Sequence, residues 1–300
     1  MSLLWLGRRL ASYAVRYGVK RVRFAMPGPG RPAVTYGTYR TSSTAIHHAI
    51  REQRGGLAIK AHALCPRHVG SVLDGRHGTA VADDGMPLSA HYGDRAVRDG
   101  IVLAGRVADF VLTVRDPVAV ASSLFYSFSG WWSPRLRAAV QAGGNDGELH
   151  DAIEEAFFGR FPRMLMLDWM SADVPGGLGW DLLRVPFDSD RGWQEYSHGH
   201  LRILVLRSDV QQAEKERMLR GFLDAPALAL RQSNSGLGYG RERPALAAAV
   251  LQVIQRRRAW LEQVAADPRT VHLWGIDGAR RMLDSWIGTG AAAPTAAGSA

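Results

Sequence analysis

Two kinds of apolar pattern alternate along this chain of 300 residues. Short apolar runs bounded by turn residues predict buried strands, and longer periodic stretches predict helices. Residues 33–36 read as a strand, 37–43 as a polar loop, and 44–53 as a helix with Ser42 or Ser43 as its N-cap. Gly55-Gly56 ends that helix, and residues 57–62 read as a second strand. Strand, loop, helix, strand is a βαβ opening, which implies a parallel sheet with a right-handed crossover. Further on, residues 110–114 form a clear strand, and Asp116-Pro117 opens a helix to about residue 128. Helices are predicted over 134–141, 148–160, 211–223 and 244–266, with a short strand within 180–187. Residues 200–206, His-Leu-Arg-Ile-Leu-Val-Leu, make the strongest strand signal. Residues 70–100 are rich in Gly and Asp and predict one poorly formed helix among long loops.

Residues 26–32, Met-Pro-Gly-Pro-Gly-Arg-Pro, exclude a helix or a central strand and mark a linker. The expected organisation is an N-terminal amphipathic helix and linker over 1–32, one α/β domain over 33–287, and a disordered Ala/Gly/Pro/Thr/Ser tail over 288–300. Near the N-terminus, Leu3, Leu6, Leu10, Tyr13 and Tyr17 recur at roughly helical spacing, with Arg8, Arg9, Arg16, Lys20 and Arg21 between them. Such a helix either packs on its own domain or lies on a membrane surface. Its apolar patch is too short for a signal peptide or a spanning helix.

Composition narrows the classes. Hydrophobic residues at 46% suffice for a large core, and 22% charged residues exclude global disorder. A net charge of +9 favours anionic partners. Only Lys20, Lys60 and Lys215 are lysines, so the use of lysine at position 60 stands out. The single cysteine, Cys65, excludes an intrachain disulfide and a cysteine-based zinc site, and fits a reducing cytoplasm.

Three segments carry chemistry. Gly37, Thr38, Tyr39, Arg40, Thr41, Ser42, Ser43 and Thr44 join a strand to a helix, where backbone N–H groups and the helix dipole favour a phosphate. No Gly-x-x-x-x-Gly-Lys-Ser/Thr loop occurs, so the lysine and metal-binding serine of ATPases are absent. Lys60 and His62 stand two apart on the second strand, hence on one face, near its carboxyl end where ligands gather. A neutral His62 can take a proton from a hydroxyl, while Lys60 balances charge and holds the imidazole pKa down. Arg115 ends the third strand. Asp116 and Pro117 read as helix-start architecture. Each segment also has a bland reading: a capped helix, a strand-end histidine bonded to a loop carbonyl, a helix start.

Taken in order, the segments resemble the PAPS-dependent sulfotransferases (PAPS is 3′-phosphoadenosine 5′-phosphosulfate). Arg40 falls on the basic residue of that family's phosphosulfate loop, and Ser43 and Thr44 on its hydroxyl pair, with Ser42 where the family has glycine. Ile59-Lys60-Ala61-His62 resembles the family's catalytic strand, and Val114-Arg115-Asp116-Pro117-Val118 with Ser123 resembles its 3′-phosphate element. Looser similarity to a bacterial group named for capsular polysaccharide synthesis comes from Asp168-Trp169, Pro186-Phe187-Asp188 before Gly192-Trp193, and Val205-Leu206-Arg207. The resemblance implies a three-layer, P-loop-like α/β fold with a parallel sheet between helices, and a cytoplasmic enzyme that uses PAPS and releases PAP, the 3′,5′-bisphosphate. It implies His62 as base, Lys60 and Arg40 on the transferring group, Arg115 and Ser123 on the 3′-phosphate, and no metal. The expected acceptor is a hydroxyl on a glycan or glycolipid, with Trp131 and Trp132 and the loops around 76–98 as candidate sugar contacts. Asn234 and Tyr239 are candidates for a loop over the nucleotide. A nucleotide-dependent kinase and a non-catalytic basic binding protein are the competing readings; no nucleic-acid motif supports the latter.

Overall fold

Four parallel strands carry the molecule's centre, and a fifth runs against them. The computed structural model describes residues 15, 18–19, 21–22, 30–38, 40–41, 43–65, 94–127, 133–142, 146–231 and 244–288. The strands are β1 (Ala33–Tyr36), β2 (Ala58–Ala61), β3 (Ala108–Val114), β4 (Trp193–His198) and β5 (Leu201–Arg207), in the order β2-β1-β3-β5-β4. All seven residues of β3 are buried, as its near-continuous apolar run requires of a central parallel strand.

Side-chain alternation sends Val34, Tyr36, Ile59, Ala61, Phe110 and Leu112 to one face, where they pack with Trp169, Met170 and Val174. The opposite face carries Ala33, Val111 and Leu204 against two helices, α1 (Ser43–Arg54) and, later, Gln212–Leu223. Helix α2 (Pro117–Ser127) follows β3 directly. Asp116 caps it as predicted, its Oδ1 accepting from the N–H groups of Val118 at 2.8 Å and Ala119 at 3.2 Å. A second apolar cluster holds α2 to α3 (Pro134–Ala142), α4 (Asp146–Glu155) and the C-terminal helices. After these come α5 (Leu165–Asp168) and α6 (Val174–Leu178), joined by a π-helical turn at Trp169–Asp173. The chain ends with α7 (Gln212–Leu223), α8 (Pro244–Arg256), α9 (Arg258–Ala266) and α10 (Pro268–Gly288). The architecture is α/β, a mostly parallel five-stranded sheet flanked by helices.

The chain differs from the sequence pattern in several places. The strand expected within 180–187 is a 3₁₀ turn at Leu182–Arg184, because Asp181 accepts the Leu183 N–H at 3.0 Å and starts a helical turn. β4 was not expected. Its exposed face is polar, and it pairs antiparallel through a hairpin at Gly199, which has φ of 55°. The helix over 244–266 breaks at Arg257 into α8 and α9, and α10 covers 268–287, for which no element was expected, together with Gly288, which was expected to open the tail. Residues 94–97 are helical and lead into a π-turn at Arg98–Val102, while the rest of 66–93 lies outside the described residues. So do 289–300, and with them all of the expected tail but Gly288.

Candidate active site

Because β2 and β3 lie on opposite sides of β1, the chain reverses direction of travel across the sheet there. In open α/β sheets the crevice at the carboxyl ends of strands beside such a switch receives the ligand. Residues 37–44 sit at this place. Gly37 has no room for a side chain: a Cβ would meet Thr113 Oγ1 at 2.3 Å and Thr41 Oγ1 at 2.9 Å. The Thr41 hydroxyl donates to Thr38 O at 2.9 Å and lies 2.8 Å from Thr113 Oγ1, so Thr113 is the donor of that pair. Thr38 Oγ1 points to Met166 Sδ, 3.4 Å away. The loop closes through Arg40, whose φ of 67° is left-handed and costs a side-chain-bearing residue about 1 kcal/mol. Helix α1 then opens at buried Ser43. Tyr39 and Ser42 lie outside the described residues, so the position where glycine is usual has no structural account.

The other predicted groups attach to this loop. Arg115 Nη1 donates to Arg40 O at 2.8 Å, and Arg40 Nε donates to Ser123 Oγ on α2 at 2.9 Å. The residue expected on the 5′-phosphosulfate and the pair expected on the 3′-phosphate are thus joined directly. Lys60 Nζ donates to Thr44 Oγ1 at 2.6 Å. Burial pushes the Lys60 ammonium pKa below its ordinary value, partly offset by Asp94. Burial also lowers Arg115, opposed by Asp116 and aided by the nearby Arg40 charge. Lys60 and Arg115 make no ion pair among the described residues, so two partly desolvated cations are held by neutral oxygens.

His62 lies just beyond β2 rather than within it, and is buried. Its Nδ1 is 2.8 Å from Gly37 O. A carbonyl only accepts, so Nδ1 carries the proton in the neutral ring, and Nε2 keeps its lone pair as the basic nitrogen. Lys60 acts on a further imidazole, His47 of α1, which is held down to about 4 by burial first and then by the Lys60 charge.

Sequence reading missed what fixes His62. Residues 62–65 leave the sheet, and four successive backbone N–H groups need partners. Two buried carboxylates supply them. Asp94 accepts from His62 at 3.2 Å and Ala63 at 2.9 Å, and Asp173 accepts from Leu64 at 2.8 Å and Cys65 at 3.3 Å. Asp173 also accepts from Tyr36 OH, whose pKa burial and Asp173 push well above 10. Trp169 Nε1 donates to His62 O at 3.0 Å. No local motif marks Asp94 or Asp173, since each acts across a long stretch of chain.

Other candidates fall elsewhere. Asp168 pairs with Arg269 at 3.1 Å, and Arg207 with Asp209 at 2.8 Å. A cavity of about 300 Å³ opens between residues 98–103, 176–179 and 198–201, at the amino-terminal edge of β5, and no residue of the 37–44 loop lines it. Trp131, Trp132, Asn234, Tyr239 and the 76–93 part of the proposed sugar loops lie outside the described residues. No family model, curated protein or solved structure matches the chain.

Proposed function

We propose that this protein is a sulfotransferase that moves the sulfuryl group of PAPS onto an acceptor hydroxyl, within an α/β fold of the sulfotransferase kind. The observation that carries the reading is that His62 and Arg115, which directly follow two different strands, both hydrogen-bond to the loop of residues 37–41. The proposed base and the proposed phosphate-binding cation are thereby tied to one loop. Lys60, Arg115 and Arg40 provide positive charge for a doubly phosphorylated donor, and a phosphate group makes strong charge-assisted bonds to them. Arg115 and Ser123 would take the 3′-phosphate, and the 37–44 backbone with Arg40 the 5′-phosphosulfate. Lys60 would balance charge on the bridging oxygen. The acceptor oxygen bonds to sulfur as the bond from sulfur to the phosphate oxygen breaks; the acceptor proton passes to His62 Nε2, and PAP leaves. Catalysis is then mainly positioning and electrostatics. A glycan or glycolipid hydroxyl is the acceptor class, on the resemblance in sequence.

A thermal-shift comparison tests the donor. PAP should raise the midpoint clearly more than ATP or 5′-AMP; at a hundredfold excess over Kd the stabilisation is about 2.7 kcal/mol. A larger shift with ATP and magnesium, together with ATP-dependent turnover, would replace this reading with the kinase. His62→Ala should lower turnover by roughly 10²-fold or more while PAP affinity stays within about twofold. Full activity in that variant would remove the base assignment.

A further inference from the structure

Three segments meet around the cavity at the amino-terminal edge of the sheet. They are the π-turn at Arg98–Val102, the end of α6 with Gly179, and the β4–β5 hairpin at Gly199. The cavity lies on the face of the first apolar cluster, to which Ala108 and Leu201 belong. Asp109 and Arg202 alternate to the other face, so the cavity is separate from their ion pairs. Its volume of about 300 Å³ is twice the roughly 150 Å³ that takes a benzene ring. Gly179 and Gly199 have φ of 67° and 55°, and a Cβ on either would meet nothing within 4 Å, so the fold leaves space beside both turns.

Two kinds of surface line this space. One is apolar and includes Val102, Leu178 and Leu103. Leu103 is 62% exposed, so a large apolar side chain stands uncovered beside the cavity. The other is basic: the ionisable lining residues are Arg98, His198 and His200, and no acid is among them. Arg98 meets Asp99 at 3.4 Å, but Arg95 reaches the same carboxylate at 3.5 Å, so one acid serves two guanidinium groups. Arg98 Nε and His200 Nε2 are shut from water and bond to nothing among the described residues. Unused capacity of this kind is uncommon in folded chains.

Apolar walls with a few convergent polar groups are the usual make-up of a small-molecule site. Basic groups without a lining acid select an anion, and the guanidinium fork fits a carboxylate. A phosphate would bring more charge into apolar surroundings, at a greater desolvation cost than a monocarboxylate. We infer that the cavity binds a small monocarboxylate with an apolar body, its carboxylate on Arg98 and the imidazoles and its body against Val102, Leu103 and Leu178. The inference is independent of the sulfotransferase reading, because no residue of the 37–44 loop, nor Lys60, His62 or Arg115, lines the cavity.

Equilibrium dialysis of the full chain against benzoate, benzamide and phenyl phosphate tests it. Benzoate should bind saturably, with a Kd at or below about 1 mM. Benzamide has the same shape without the charge and should bind roughly tenfold more weakly. Phenyl phosphate should also bind more weakly than benzoate. Leu103→Asp puts a like charge beside the carboxylate at an exposed position; it should weaken benzoate by roughly tenfold and leave the melting temperature unchanged. Arg98→Met should cost a similar factor, and both variants should keep the wild-type response to PAP. The proposal is overturned if wild-type protein shows no saturable benzoate binding up to about 10 mM. Equal binding of benzamide, or wild-type affinity for benzoate in the Leu103→Asp variant, overturns it too. Tighter binding of phenyl phosphate would replace the carboxylate assignment with a phosphate site. A chain that binds benzoate as described and ignores PAP would sink the sulfotransferase reading alone.

Discussion

Gly37 and Arg40 show how single residues set the crevice. At Gly37 the added methyl of Gly37→Ala would meet Thr113 Oγ1 and the Thr113 carbonyl, which belong to a strand and cannot move away. Overpacking of this kind costs about 1–3 kcal/mol, so the variant should melt several degrees lower and lose most of its PAP response. Gly159→Ala, with nothing within 4 Å, is the control and should leave both unchanged. Arg40 pairs a strained φ with a side chain bonded to Ser123. Strain of that kind persists where the surroundings over-determine it, which is common at functional sites. The sequence marked Arg40 for its charge but not for its backbone, because a left-handed turn is advertised by glycine or asparagine and this one uses neither.

At the scale of elements, the β1–α1–β2 unit couples pH to stability through His47. Its folded pKa of about 4 lies below the ordinary 6.5, so the folded state refuses a proton that the unfolded chain accepts. The sign follows: stability is fully present above pH 6.5 and is lost as pH falls toward 4. Melting temperature followed from pH 7 to 4 should fall, and His47→Gln should flatten that slope; an unchanged slope would remove His47 as its source. The unit itself was legible in the sequence, since 33–36, 44–53 and 57–62 obey local rules of turn and cap, and no observed bound shifts by more than one residue. β4 was not legible, because a hairpin strand with one polar face looks like a loop until its partner is known. The carboxylate clamp on residues 62–65 was hidden for a similar reason, as Asp94 and Asp173 take meaning only from the backbone they meet. Tyr36→Phe tests that clamp: losing a buried donor to Asp173 should cost about 1–3 kcal/mol of stability.

Across the whole molecule the two ends of the sheet treat positive charge differently. At the amino end, Asp109 of β3 is fully buried and faces Arg54 at 3.0 Å, Arg202 at 3.7 Å and Arg31 at 3.9 Å. Those arginines are neutralised and serve the fold. At the carboxyl end Arg115 is desolvated beside Arg40, with a backbone carbonyl as its hydrogen-bond partner. A buried cation without a paired anion works against stability until an anion arrives. The two ends should therefore respond in opposite ways. Asp109→Asn strands partly buried arginines and should lower the melting temperature by roughly 5 °C or more, with the PAP shift retained. Arg115→Met removes a desolvated charge that makes no ion pair among the described residues. Its unliganded melting temperature should hold or rise, while most of the PAP-induced shift disappears. A large loss of stability in Arg115→Met would mean that the arginine is structural, and that the carboxyl end of β3 is no more a phosphate site than the amino end.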